Sequence, residues 1–172
     1  MKIKTWQILT VIICIILGVF FHFTYEWSRE NIIVGIFSAV NESTWEHLKL
    51  AFFPMILMAV IGYFIIGKSS NNYWFAQALG IVTALGFIVV FFYTYTGIIG
   101  INVDVLNIAS FVIGVILGEF VTYKILTSRK TYNAELISII FIIILLFSFI
   151  LYTFSPPRIG LFKAPLTGKF GI

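Results

Sequence analysis

The sequence predicts an all-α integral membrane protein with five transmembrane helices and a short interfacial or re-entrant helix between the first two. Two observations carry this. Of 172 residues, 60% are hydrophobic and only 10% charged, whereas a soluble domain averages about 25% charged residues. Too little polar surface is left to keep such a fold in water. In addition, five nearly uninterrupted apolar runs reach the ~20 residues a helix needs to cross the hydrocarbon.

The first run covers about residues 5–25. Its Met1-Lys-Ile-Lys start imitates a signal peptide, but the run ends in FFHFTYEW without a small-residue cleavage pattern, so an uncleaved helix is expected. Residues 31–40, Asn31 followed by IIVGIFSAV, are too short to span and suit a helix whose backbone ends meet protein or water. The second span is placed at 45–67. Pro54 lies inside it, and membrane helices tolerate such a residue with a kink when neighbours satisfy the freed carbonyl. A polar turn, Lys68-Ser-Ser-Asn-Asn, leads to the third span at 73–96, which closes on FFYTYTG with Gly97 and Gly100 as turn positions. The fourth, 105–126, follows a loop holding Asn102 and Asp104. Its Gly114 and Gly118 have the G-x-x-x-G spacing that lets another helix approach closely. After Ser128-Arg-Lys-Thr, the fifth span is 134–154. Residues 155–172 hold three prolines and three glycines and form a C-terminal cap or tail, with Ile159, Leu161 and Phe162 suited to packing over the outer mouth. No internal repeat or second domain is visible.

The net charge is +4, from 11 Lys and Arg against 7 Asp and Glu. Most cations flank apolar segments, where they anchor helix ends, so the bilayer and no nucleic acid is the expected partner. With the N-terminus cytoplasmic, inner segments hold Lys2, Lys4, Lys68, Lys124, Arg129 and Lys130, and the outer loops only Arg29 and Lys49. The basic residues of the tail oppose the rule, but early helices usually dominate, which predicts a multi-pass cell-membrane protein with its C-terminus outside. The lone Cys14 excludes an internal disulfide and a Cys-rich zinc site.

Helix alternation gathers the polar chemistry on one face. Glu26, Glu30, Glu42, Glu46, Asp104, His22 and His47 all fall on the outer side. His22 and Glu26 are four apart, a spacing that puts side chains on one helix face with Cβ atoms about 6 Å apart. They suit an interfacial pair, metal ligands or an acid–base pair. The block Asn41-Glu-Ser-Thr-Trp-Glu-His47 enters the second span. Ser43 and Glu46 fit the S-x-x-E capping box, which leaves Asn41, Glu42 and His47 without a structural account. Lys49, three residues after Glu46, suggests a helix-surface ion pair. His22, Glu26 and His47 match the two-His, one-carboxylate ligand set of catalytic zinc, with Glu42 or Glu46 left to activate water.

Glu119 stands apart, inside the fourth span, where an ionisable group is costly and normally faces a partner in the bundle interior. Tyr123 lies one turn later on the same face. A structural carboxyl bonded to Gln77 or Tyr63 and an ion- or proton-carrying group both suit it. Tyr93, with Thr94, Tyr95 and Thr96, closes the third span as an aromatic belt or as the lining of a lipid-headgroup pocket.

FHFTYEWS, VNESTWEHLKL and the PPR-x-G-L-F … GKFGI ending resemble an uncharacterised family of small bacterial polytopic membrane proteins, a domain of unknown function in which the NESTWEH-type block is the most specific piece. The resemblance implies a compact multi-helix membrane fold and brings no activity with it. Three functions fit the residues: a hydrolase or transferase that uses a divalent metal such as zinc on a lipid or lipid-linked substrate, a small transporter or proton pathway through Glu119, and a non-catalytic membrane scaffold or partner subunit.

Overall fold

The computed structural model describes residues 2–165 and 167–172. Its six α-helices are α1 (Ile3–Trp27), α2 (Ile32–Phe37), α3 (Thr44–Ile65), α4 (Tyr73–Ile99), α5 (Asp104–Leu126) and α6 (Glu135–Phe154). All but α2 are long and apolar enough to cross a membrane, the architecture of a multi-pass membrane protein. Among the described residues the extended structure amounts to one isolated bridge, between Lys163 and Phe170. The spans end within about three residues of where the apolar runs place them. The largest difference is α4, which stays helical through Gly97 and stops only at Gly100, in the left-handed conformation (φ 80°) that glycine adopts without a Cβ penalty.

Five alternating spans give the bundle two faces. One holds the start of α1 and is called the N-terminal face; the other holds the end of α6 and the C-terminal segment. The innermost helix is α3, with 61% of its apolar window buried against 22% for α1 and for α6. It runs unbroken through Pro54 and packs against α1 and α4, while Trp45, Phe52 and Phe53 surround Phe149 of α6. The α4–α5 pair is the closest. A Cβ on Gly118 would lie 2.5 Å from the Gly80 carbonyl, and one on Gly114 3.0 Å from that of Ala84. Both glycines of the G-x-x-x-G spacing are therefore consumed in backbone approach, where dispersion replaces the hydrophobic drive that lipid cannot supply. Ile8, Ile12 and Ile16 of α1 and Ile140, Ile144 and Phe147 of α6 point outward, as a lipid-facing surface requires.

On the N-terminal face, the Glu135 carboxylate accepts from the backbone N–H groups of Trp74 (2.9 Å) and Phe75 (3.4 Å). An anion there satisfies two orphan donors at the start of α4 and complements its dipole. Asn72 holds the same turn, donating to Lys130 O and accepting from Tyr132 N. On the opposite face, Tyr95 gathers Asn102 and Asn107 around its hydroxyl at the α4–α5 turn. Tyr93 is exposed at the edge of α4.

Candidate functional site

Between α1 and α3 the chain folds back on itself at the C-terminal face. Ser38 is fully buried, and its hydroxyl sits against Phe21 O, Thr24 Oγ1 and Tyr25 N, stapling the segment after α2 to the last turns of α1. Asn31 caps α2 by accepting from Ile33 N.

The block that follows is an N-cap built in two layers. Ser43 Oγ accepts from Glu46 N at 3.3 Å, as the capping spacing predicts. The reciprocal half of the box does not form. Glu46 reaches past Ser43 to accept from Val40 N (3.1 Å), and Ser43 N donates to Asn41 Oδ1 (2.8 Å). Asn41 Nδ2 donates to Gly171 O, so this side chain joins the cap to the C-terminus. Glu46 is diverted by Lys49. Their ion pair, 2.5 Å between Nζ and Oε2, is completely buried, which corrects the expectation of a helix-surface pair. Lys49 also donates to Gly35 O (2.7 Å) and Thr153 Oγ1 (2.9 Å), and Thr153 lies 3.3 Å from Glu46 Oε1. One knot thus fastens α2, the Val40 segment, α3 and α6. Buried charges are tolerated when paired and fully hydrogen-bonded, as here.

The C-terminal segment closes over the knot. Phe162 is buried against Trp45 and Tyr152, and Ile172 N donates to Thr153 O. Of the three apolar residues expected to cap the mouth, Phe162 is buried, Leu161 is half-buried and Ile159 is exposed.

Beside the knot, and turned away from it, three of the candidate ligands converge. His22, Glu42 and His47 each offer a ligand atom, all within 4.8 Å of one another. His47 Nδ1 lies 2.9 Å from Ser43 O, its preceding-turn carbonyl, and Nε2 lies 3.3 Å from Glu42 Oε2. Because a carbonyl can only accept, Nδ1 carries the hydrogen, and Nε2 faces the carboxylate. In the neutral ring Nε2 is a bare lone pair, so a cation, either a proton or a metal, must lie between the two acceptors. The rings of His22 and His47 meet edge to face, with centroids 5.2 Å apart. The hydrogen bond from His47 holds the Glu42 carboxyl below the ordinary carboxylate range, and the His47 and His22 charges act in the same direction against its partial burial. The site is open, with half of the Glu42 side chain accessible.

Glu26 is exposed and lies outside this group, whose carboxylate is that of Glu42. Glu46, the other carboxylate assigned to water activation, is committed to Lys49. Glu119 is buried in α5 near the N-terminal face, and both of its oxygens lack a hydrogen-bond partner. The expected bonds to Gln77 or Tyr63 are therefore absent. Tyr123 lines the same pocket. The sequence points Lys49 only to a surface pair with Glu46, and it does not single out Thr153 and Ser38. A lysine and a threonine inside apolar spans were the available signal for Lys49 and Thr153, and a serine in a short linker gives none.

A family model matches residues 1–172. No curated protein and no solved structure matches the chain. Over those residues the chain belongs to a family of unknown function (DUF6512).

Proposed function

We propose that His22, Glu42 and His47 bind one divalent transition metal, best matched by zinc, and that the protein uses it as a hydrolase or transferase on a lipid or lipid-linked substrate at the outer face of the cell membrane, with the N-terminus cytoplasmic. The orientation rests on the Lys and Arg bias of the short segments.

The observation that carries the metal is the 3.3 Å between His47 Nε2 and Glu42 Oε2, with Nδ1 engaged by Ser43 O. Zinc–ligand bonds of 2.0–2.1 Å in a tetrahedron set neighbouring ligands about 3.3 Å apart, so this pair already has the spacing of two ligands on one ion. A carbonyl on the far nitrogen is the usual device that fixes a ligand imidazole's tautomer and ring angle. An ion pair between Glu42 and His47 would need no third partner, yet a ring nitrogen of His22 lies within 4.8 Å of a ligand atom of each. Two imidazoles and one carboxylate leave a fourth position for water, whose pKa such a metal lowers to about 7. A lipidic substrate is supported by the neighbourhood. An apolar pocket of about 480 Å³ runs between α1 and α2, lined by Phe21, Trp27, Ile33 and Phe37, and starts one residue from His22.

Metal analysis of protein purified without chelator or polyhistidine tag tests the reading. One zinc per chain is expected, lost on His22→Ala combined with His47→Ala. The absence of stoichiometric metal, or its retention in the double variant, removes the metal centre and the enzyme with it.

A further inference from the structure

A second polar site lies at the other end of α1. Among the described residues, six buried side-chain nitrogen or oxygen atoms have no hydrogen-bond partner, and five of them belong to Gln7 (both), Thr10 (one) and Glu119 (both). All three residues are more than nine-tenths buried. Natural structures leave few such atoms, because an unpaired polar group in a low-dielectric interior is costly, so the four of Gln7 and Glu119 in one pocket, with Thr10 one turn along α1, call for a ligand. Gln7 and Glu119 line a pocket of about 280 Å³ between α1 and α5, and Thr10 lies three residues along the same buried side of α1. Lys4 and Tyr123 stand in the pocket wall, and Lys4 itself is exposed.

The donor set defines the ligand. An amide oxygen, a hydroxyl and a carboxylate are hard oxygen donors with no imidazole or thiolate among them, which suits alkali or alkaline-earth ions over zinc. The buried charge is that of the single Glu119 carboxylate, since Lys4 in the pocket wall is exposed. In a buried site a monovalent cation cancels it, whereas a divalent one leaves an uncompensated charge inside the span. We propose that Gln7, Thr10 and Glu119 bind one monovalent alkali cation, sodium, admitted past Lys4 from the N-terminal face. Gln7 and His22 are fifteen residues apart on α1, about 22 Å at the helical rise. The cation site therefore shares no residue with the metal site and stands or falls separately.

Equilibrium binding of radioactive sodium to the purified full chain in lipid nanodiscs tests this, with unlabelled sodium and choline as competitors. Saturable binding of one ion per chain is expected, displaced by sodium and not by choline. Glu119→Gln should lower the affinity by at least about tenfold, and Thr10→Val, which keeps the side-chain shape and removes one oxygen, should weaken it several-fold. His22→Ala with His47→Ala should leave it unchanged. No saturable binding in the unaltered chain overturns the proposal, as does binding that survives Thr10→Val at full strength. Binding that emerges only in Lys4→Ala also overturns it, because the Lys4 ammonium would then be the occupant.

Discussion

Replacing Lys49 with Met tests whether the Glu46–Lys49 knot sets the architecture of the C-terminal face. The substitution keeps an unbranched chain of similar volume and removes the cation, leaving Glu46 buried with Val40 N and Thr153 for company, and Gly35 O without its donor. Both side chains are essentially inaccessible, so solvent does not screen the loss. Breaking a buried pair from one side costs about 3–5 kcal/mol, because the remaining charge is uncompensated. For a chain of this size each kcal/mol moves the melting temperature by about 2–4 °C, so a drop of roughly 6–20 °C is expected. The assay is thermal unfolding in detergent followed by tryptophan fluorescence, with Glu46→Gln and the double variant completing a cycle. The double variant has no stranded charge, and its Gln can still accept from Val40 N. It should recover at least half of the loss. A Lys49→Met protein less than about 1 kcal/mol below the parent, or strictly additive single losses, would refute the reasoning.

Four further outcomes follow from the same geometry. A Cβ at Gly80 would lie 2.0 Å from Thr122 Oγ1 and 2.8 Å from Gly118 O, so Gly80→Ala should destabilise by about 1–3 kcal/mol in the same melts. Gly86→Ala, on an open surface of the same helix, should be neutral or gain up to ~1 kcal/mol. The depressed Glu42 carboxyl stabilises the fold above its ordinary value of 4.5, and that contribution is lost as pH falls through the lower folded value. Melts of the metal-free parent and Glu42→Gln should accordingly differ by no more than about 1 kcal/mol near neutrality and converge in acid, the small size reflecting an exposed pair. Gly171 has φ 63°, and a Cβ there would sit 2.6 Å from Thr153 O. Gly171→Ala should lift the C-terminus, release Asn41 and weaken zinc binding by up to about tenfold in chelator competition.

How much of this the sequence disclosed depended on whether a feature is periodic or local. The five spans were legible because length and apolarity alone define them. Gathering His22, Glu42 and His47 on one face needed only helix alternation. The choice of Glu42 over Glu26 did not follow from spacing. Glu26 satisfies the i, i+4 rule with His22, yet the carboxylate beside the two histidines comes from a residue twenty positions away from His22, brought in by the fold-back that Ser38 and Asn41 secure. Glu46 was misjudged for a related reason. S-x-x-E describes a local reciprocal cap, and Lys49 one turn on makes an ordinary surface pair with it on an isolated helix. Only the presence of α6 and its Thr153 turns that side of the helix inward. Gln7 and Thr10 carry no motif, and their importance lies in the partners they lack.

Glu46 and His47 show how one short block serves both packing and chemistry. Consecutive helical residues point about 100° apart, so the turn that drives Glu46 toward Thr153 of α6 turns His47 to the side that meets His22 of α1. Anchoring Glu46 and Lys49 to Thr153 of α6 and Gly35 of α2 fixes the rotation of α3 about its own axis. That rotation, together with the Ser43 carbonyl on Nδ1, decides where His47 Nε2 points. With His47 held this way, the half-exposed Glu42 on its loop still lies 3.3 Å from Nε2. That fixed rotation also explains why the buried pair would persist at a position where apolar residues could pack as stably. The pair orients a neighbour, and the cycle proposed above separates that role from stability. The double variant should regain at least half of the lost stability and yet bind zinc less tightly, because the side chains that set the angle of α3 would be gone.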